Sequence, residues 1–227
     1  MRRNILIVES QNDKYFFQSF IKHLSRDIEV EAPIFNDNDY LPMNGLDEKK
    51  LTETIKNLKA EIQKGVIERV GIIIDIDLNS EADRVDFINK CVRNVFPDAP
   101  SINKASQFID LNFEDNEFQL ACYFTNVDGQ GELETVLKAI TSKESIHADC
   151  LDTWRECLES KGKTIKDKDF DKFWIANYVR FDTCSRNDKK QADRKCNLGY
   201  ALQTKTEVWN FNHPVLDDLK SFFELFS

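Results

Sequence analysis

Val70-Gly71-Ile72-Ile73-Ile74 runs directly into Asp75-Ile76-Asp77, and this stretch decides the fold. The apolar run is continuous, with no polar alternation, which predicts a strand buried on both faces, as in a parallel sheet covered by helices. Asp75 and Asp77 then stand where the strand ends, the edge at which an open parallel sheet binds its ligands.

Working outward, the pattern repeats. Asn4-Ile5-Leu6-Ile7-Val8 predicts a first strand that stops at the polar cluster Glu9-Ser10-Gln11-Asn12-Asp13, which has helix N-cap chemistry. Phe16, Phe17, Phe20, Ile21 and Leu24 follow at helical spacing, ending near Ser25. A short strand is expected over Val30 to Phe35, a polar loop over Asn36 to Asn44, and a second amphipathic helix through Leu51, Ile55, Leu58 and Ile62, stopped by Gly65. After the central strand, Ser80 caps a helix carrying Val85, Ile88, Val92 and Val95 and closed by Phe96-Pro97. Ser106 to Phe113 and Glu117 to Val127 read as a hairpin around Glu114-Asp115-Asn116, and a helix opens at Glu132.

Strand and helix alternation of this kind is the α/β signature. The fold expected is therefore a mainly parallel central sheet flanked by helices, Rossmann-like, with a β-hairpin addition. From Ser145 no strand is expected; helices are placed at about 146-160, 168-182, 188-203 and 214-226. The organisation predicted is an α/β domain over 1-145 and a helical extension over 146-227 packed on it, since no linker composition separates the two.

Composition narrows the function classes. Asp and Glu number 40 against 31 Lys and Arg, a formal net charge of -9, so no surface-wide positive field draws in nucleic acid or anionic lipid. With 17 Phe and 41% hydrophobic residues, the chain carries too much apolar side chain to be a disordered acidic segment. Neither GxxxxGK[ST] nor GxGxxG occurs, which removes both nucleotide-phosphate fingerprints. The apolar runs fall far short of a bilayer span, so no membrane association and a cytoplasmic location are expected. The six cysteines show no CxxC and no zinc spacing, and read as reduced, mostly structural thiols.

The carboxylates are the informative residues. Glu9, Asp75, Asp77 and the Glu132/Glu134 pair all stand where a strand or loop gives way to a helix. Two carboxylates about 4 Å apart at an effective dielectric of about 20 repel by roughly 4 kcal/mol, so such a cluster must bind a cation or take up protons. Oxygen-only donors select Mg²⁺, Mn²⁺ or Ca²⁺ over Zn²⁺. The plainer alternative is that these are loop acids and helix N-terminal acids complementing the dipole.

The ordered set Glu9-x-x-x-Asp13 after a first strand, Asp75-x-Asp77 after an apolar strand, and Gly131-Glu132-Leu133-Glu134 opening a helix resembles the Toprim domain. It is closer still to the standalone Toprim-like proteins related to the nuclease domain of overcoming-lysogenisation-defect nucleases. Val208-Trp209-Asn210-Phe211-Asn212-His213-Pro214, followed by an apolar helix, is also similar to that group. The resemblance implies that Glu9, Asp75 and Asp77 hold Mg²⁺ or Mn²⁺ for phosphodiester chemistry, with Asp13 and Glu134 completing a second ion site. It departs from the usual pattern at Ser10, where glycine normally follows the glutamate, and at Glu132, which replaces a serine. The nuclease branch also uses a downstream lysine, for which Lys195 is the candidate.

Two functions compete. One is a metal-dependent nuclease or phosphotransferase that meets DNA or RNA through the single dense basic run, Arg186, Lys189, Lys190, Arg194 and Lys195. The other is a non-catalytic Toprim-fold module acting through a protein partner, such as a separate ATPase, which this chain lacks. A phosphoacceptor receiver domain fits less well, because it needs an acid pair after the first strand and Glu9-Ser10 supplies one.

Overall fold

A computed structural model describes residues 2–31, 34 and 47–227. Five strands, β1 (Arg3–Val8), β2 (Glu29–Val30), β3 (Ile67–Asp75), β4 (Ile109–Phe113) and β5 (Asn116–Thr125), form one sheet in the order β2-β1-β3-β5-β4. The first four in that order run parallel, and β4 pairs antiparallel with β5 as the expected hairpin. The helices are α1 (Gln11–His23), α2 (Glu48–Asn57), α3 (Lys59–Gln63), α4 (Glu81–Val95), α5 (Leu133–Ala139), α6 (Ile146–Ser160), α7 (Asp167–Asn177), α8 (Ala192–Lys195), α9 (Leu198–Thr204) and α10 (Asp217–Glu224). The α/β class and mainly parallel sheet match the sequence reading.

Alternation along the buried strands divides the core between two faces. Ile5, Ile7, Ile72 and Ile74 face α2, α3 and α4, whereas Leu6, Val8 and Ile73 share the opposite cluster with Phe16, Phe17 and Phe20 of α1, Leu137 of α5, Trp174 of α7 and Phe222 and Phe223 of α10. That second cluster draws on residues from both sides of position 145. Gly71 is required there: a Cβ on it would sit 2.8 Å from Leu6 Cδ1 and 2.9 Å from Phe226 Cζ, so the strand has no side chain where α10 lies against it.

Several elements differ from expectation. The strand expected over Val30 to Phe35 is β2, only Glu29–Val30, although Glu31 and Ile34 continue the pairing by donating to Leu6 O and Val8 O; residues 32, 33 and the predicted loop 36–44 lie outside the described residues. The strand expected from Ser106 starts at Ile109, since Ser106 has φ +57° and cannot continue an extended run. The helix expected over 188-203 is instead a 3₁₀ turn (Asp188–Gln191), α8 and α9, interrupted at Cys196-Asn197. Cys184 is disulfide-bonded to Cys196 with a Cα–Cα separation of 5.5 Å, which corrects the expectation of reduced thiols for this pair; α7 passes into a π-helical turn (Tyr178–Asp182) that turns Cys184 back toward α8. Cys91, Cys122, Cys150 and Cys157 are free. Among the described residues no helix is long and apolar enough to cross a membrane.

Candidate functional site

β1 and β3 are adjacent, with Val8 opposite Ile73, so Glu9 and Asp75 leave the sheet side by side. Strand order reverses here: β2 lies on one side of β1, and β3 and β5 on the other. In an open parallel sheet this switch point is where the crevice forms at the carboxyl ends of the strands.

Each acid is held by local structure. Ser10, with φ -126° and ψ 172°, caps α1: its Oγ accepts from Asp13 N–H at 3.3 Å and its own N–H donates to the Asp13 carboxylate at 2.9 Å. That φ is ordinary extended backbone, so the position needs no glycine, and serine gives the helix a capping box. Glu9 Oε2 accepts the Asp75 N–H at 3.1 Å, and Asp75 Oδ1 accepts the Leu133 N–H at 3.1 Å, tying β1, β3 and the first turn of α5 together. Glu134 is the next residue of α5. Asp77 takes the left-handed conformation, φ +54°, and exchanges two backbone hydrogen bonds with Gly131. Its side chain therefore does not follow the alternation that would align it with Asp75. It meets Arg84 Nη2 at 2.6 Å and Lys168 Nζ at 2.9 Å instead.

Burial and mutual repulsion govern the electrostatics. Desolvation pushes the Asp13 carboxyl up to about 7, with Glu9 and Glu134 adding to it against the Ser10 hydrogen bonds. Asp75 is raised well above the usual carboxylate range by burial and then by Asp13, Glu9, Glu134 and Glu132. Glu9 is raised by burial, opposed by the Asp75 N–H, and Glu134 is raised by burial and by Glu132. Burial works against the Lys168 ammonium, but its hydrogen bonds to Asp77 and Glu132 prevail and raise its pKa.

The structure thus brings Glu9, Asp13, Asp75 and Glu134 into one interacting group, with Asp77 beside it acting on Glu9. Lys195 pairs with Asp188 at 3.8 Å, and Lys205 holds the same carboxylate at 2.9 Å. The lysines that reach the acids are Lys168, 2.9 Å from Glu132 Oε2, and Lys172, 3.4 Å from the same atom. Spacing of four along the predicted helix 168-182 put both on one face, but nothing in sequence said that this face met Glu132. Arg84 had a clearer signal: it shares the stripe of Ile88 and Cys91, and a charged residue on an apolar face calls for a partner.

The donor set suits a hard divalent cation. Carboxylate oxygens dominate it, and Glu132 Oε1 and Thr125 Oγ1 are buried with no hydrogen-bond partner, Thr125 lying opposite Asp75 in the β3/β5 register. Among the described residues, no three His, Cys, Asp or Glu side chains already converge as a metal centre; Asp77 and Glu132 are turned to the lysines.

A family model described as a protein of unknown function (DUF3226) matches residues 3–227, and the chain belongs to that family. No curated protein and no solved structure matches it.

Proposed function

For this member of the DUF3226 family, we propose a Toprim-like, Mg²⁺- or Mn²⁺-dependent nuclease or phosphotransferase acting on nucleic-acid phosphodiesters. The observation that carries the reading is the group Glu9, Asp13, Asp75 and Glu134 at the β1/β3 switch point, whose carboxyls are all raised by burial, with Asp13 and Asp75 raised further by the other acids of the group. A divalent cation would relieve that repulsion and convert a site hostile to phosphate into one that attracts it.

Glu9 and Asp75 would hold the ion, with Asp13 and Glu134 available to a second and Asp77 joining on release from its lysine. Bound there, Mg²⁺ or Mn²⁺ supplies Lewis-acid activation of water and stabilises the leaving oxygen. Arg84, packed beside Asp77, orients that carboxylate, while Lys168 and Lys172 bring positive charge to the rim, where a phosphate would approach. The basic run Arg186, Lys189, Lys190, Arg194 and Lys195 would track the nucleic-acid backbone farther out.

One observation favours a second reading, a non-catalytic module working through a protein partner: Asp77 and Glu132 already have cationic partners within the chain. Calorimetric titration with MnCl₂, followed by incubation with single-stranded DNA, duplex DNA and RNA, separates the two. The nuclease reading expects divalent binding and strand cleavage, both lost in Asp75→Asn. Binding without cleavage of any substrate moves the protein to the second reading, and no divalent binding overturns the metal-dependent chemistry.

A further inference from the structure

Lys168 occupies a peculiar position. Its Nζ lies 2.9 Å from Asp77 Oδ1 and 2.9 Å from Glu132 Oε2, bridging a carboxylate from the end of β3 and one from the start of α5. A cation shared between these acids is what a bound metal would also be. The acid and the cation differ in freedom: the Glu132 side chain is 3% exposed and has a buried, unpartnered Oε1, whereas the Lys168 side chain is 51% exposed. The acid is fixed and still short of a partner; the cation reaches in from solvent and can swing out.

The helix that carries it is firmly anchored. Phe170, Trp174 and Ile175 are buried, Asp171 accepts from Thr135 Oγ1 at 3.0 Å and from Lys138 Nζ at 3.2 Å, and Lys138 lies over the Phe170 ring at 4.9 Å. The Lys168 backbone is therefore held beside the acids while its four-carbon stem can move, so an ammonium expelled from the site stays close enough to return.

We propose that Lys168 is a tethered counter-cation that stands in for the divalent ion in the ion-free protein, and that metal entry displaces it. The inference rests on the metal-dependent reading and concerns regulation of the same site. A singly charged ammonium neutralises only part of this group. A divalent ion that also engages Glu9 and Asp75 gains charge compensation the lysine cannot give, whereas a monovalent ion gains none by displacing it. Lys168 therefore weakens metal binding while making it selective for a double charge, and it bridges two acids that each keep a further cationic partner, Asp77 in Arg84 and Glu132 in Lys172.

The test uses the full chain and Mn²⁺ alone as the probe. Lys168→Met should bind Mn²⁺ at least tenfold more tightly than the native chain by calorimetry. Its melting temperature without metal should fall, and Mn²⁺ should raise it by more than in the native chain. Lys168→Arg should bind like the native protein, and Asp75→Asn should abolish binding in either background. Equal or weaker Mn²⁺ binding by Lys168→Met, with Asp75-dependent binding intact, overturns the displacement and leaves the metal reading standing. Absence of Mn²⁺ binding in every variant overturns both. Should Lys168→Met not fold, Lys168→Gln, which keeps one hydrogen bond, carries the same comparison.

Discussion

Replacing Asp13 with Asn should change the pH dependence of stability in a defined direction. Asp13 is 4% exposed and its carboxyl titrates at about 7 against an ordinary 3.8. A carboxyl whose folded pKa is raised is ionised first in the unfolded chain. Its contribution is therefore most favourable below the unfolded pKa and is lost as pH rises toward the folded one. At about 1.4 kcal/mol per pH unit over roughly three units, the native chain should lose on the order of 4 kcal/mol relative to Asp13→Asn between pH 4 and 7, and no more beyond it. Asparagine preserves the shape and can still accept from Ser10 N–H, so the cap is retained. Other titrating groups cancel in the difference, except Asp75, whose easier ionisation without Asp13 acts in the same direction. Urea unfolding of both proteins in chelator-treated buffers across this range is the assay. A difference that is independent of pH, or that grows in favour of the native chain as pH rises, would refute the account of a buried, mutually repelling group.

Gly131→Ala should destabilise the protein by about 1 to 3 kcal/mol, comparable to other strained backbone positions. Gly131 has φ +99° and a Cβ there would meet Thr135 Oγ1 at 2.6 Å, so thermal melting should show the loss and Mn²⁺ affinity should fall as the strained backbone at 131 shifts against its hydrogen-bonded partner Asp77. Phe20→Ala should cost about 3 to 5 kcal/mol, because Phe20 is fully buried and its ring packs on Phe16, Phe211 and Phe223; a chemical-denaturation midpoint unchanged from the native value would contradict this packing.

How much was readable in the sequence depended on the range of the interaction. The run Val70 to Ile74 carried the parallel sheet, because a strand covered on both faces leaves a continuous apolar trace. Ser10 and Ser80 announced their helices, each with an acid three residues on that completes a capping box. The joining of Glu9 to Asp75 needed β1 beside β3, an assumption the register supports. What remained hidden was long-range or conformational. Asp77 was placed by alternation, which a left-handed residue does not obey. Lys168 is 91 residues from Asp77, and no local pattern links them. Cys184 and Cys196 are brought together by a π-helical turn at the end of the first of two predicted helices and by a break inside the second, expected to be continuous over 188-203.

The gap at Gly71 bears on how the chain is made. The face of β1 and β3 around it is closed by Phe222 and Phe226, and Phe226 O accepts from Asn4 Nδ2 at 3.2 Å. Asn4 and Phe226 are thus partners that leave the ribosome far apart in time. At about 5 to 20 residues per second, on the order of ten to forty seconds separate their synthesis. Until α10 is made, the part of this face around Gly71 lacks its cover even when α1, α5 and α7 are already in place, and it is a target for holding chaperones and for association between nascent chains. The efficiency of folding in the cell should therefore depend on how long translation takes to reach and complete α10.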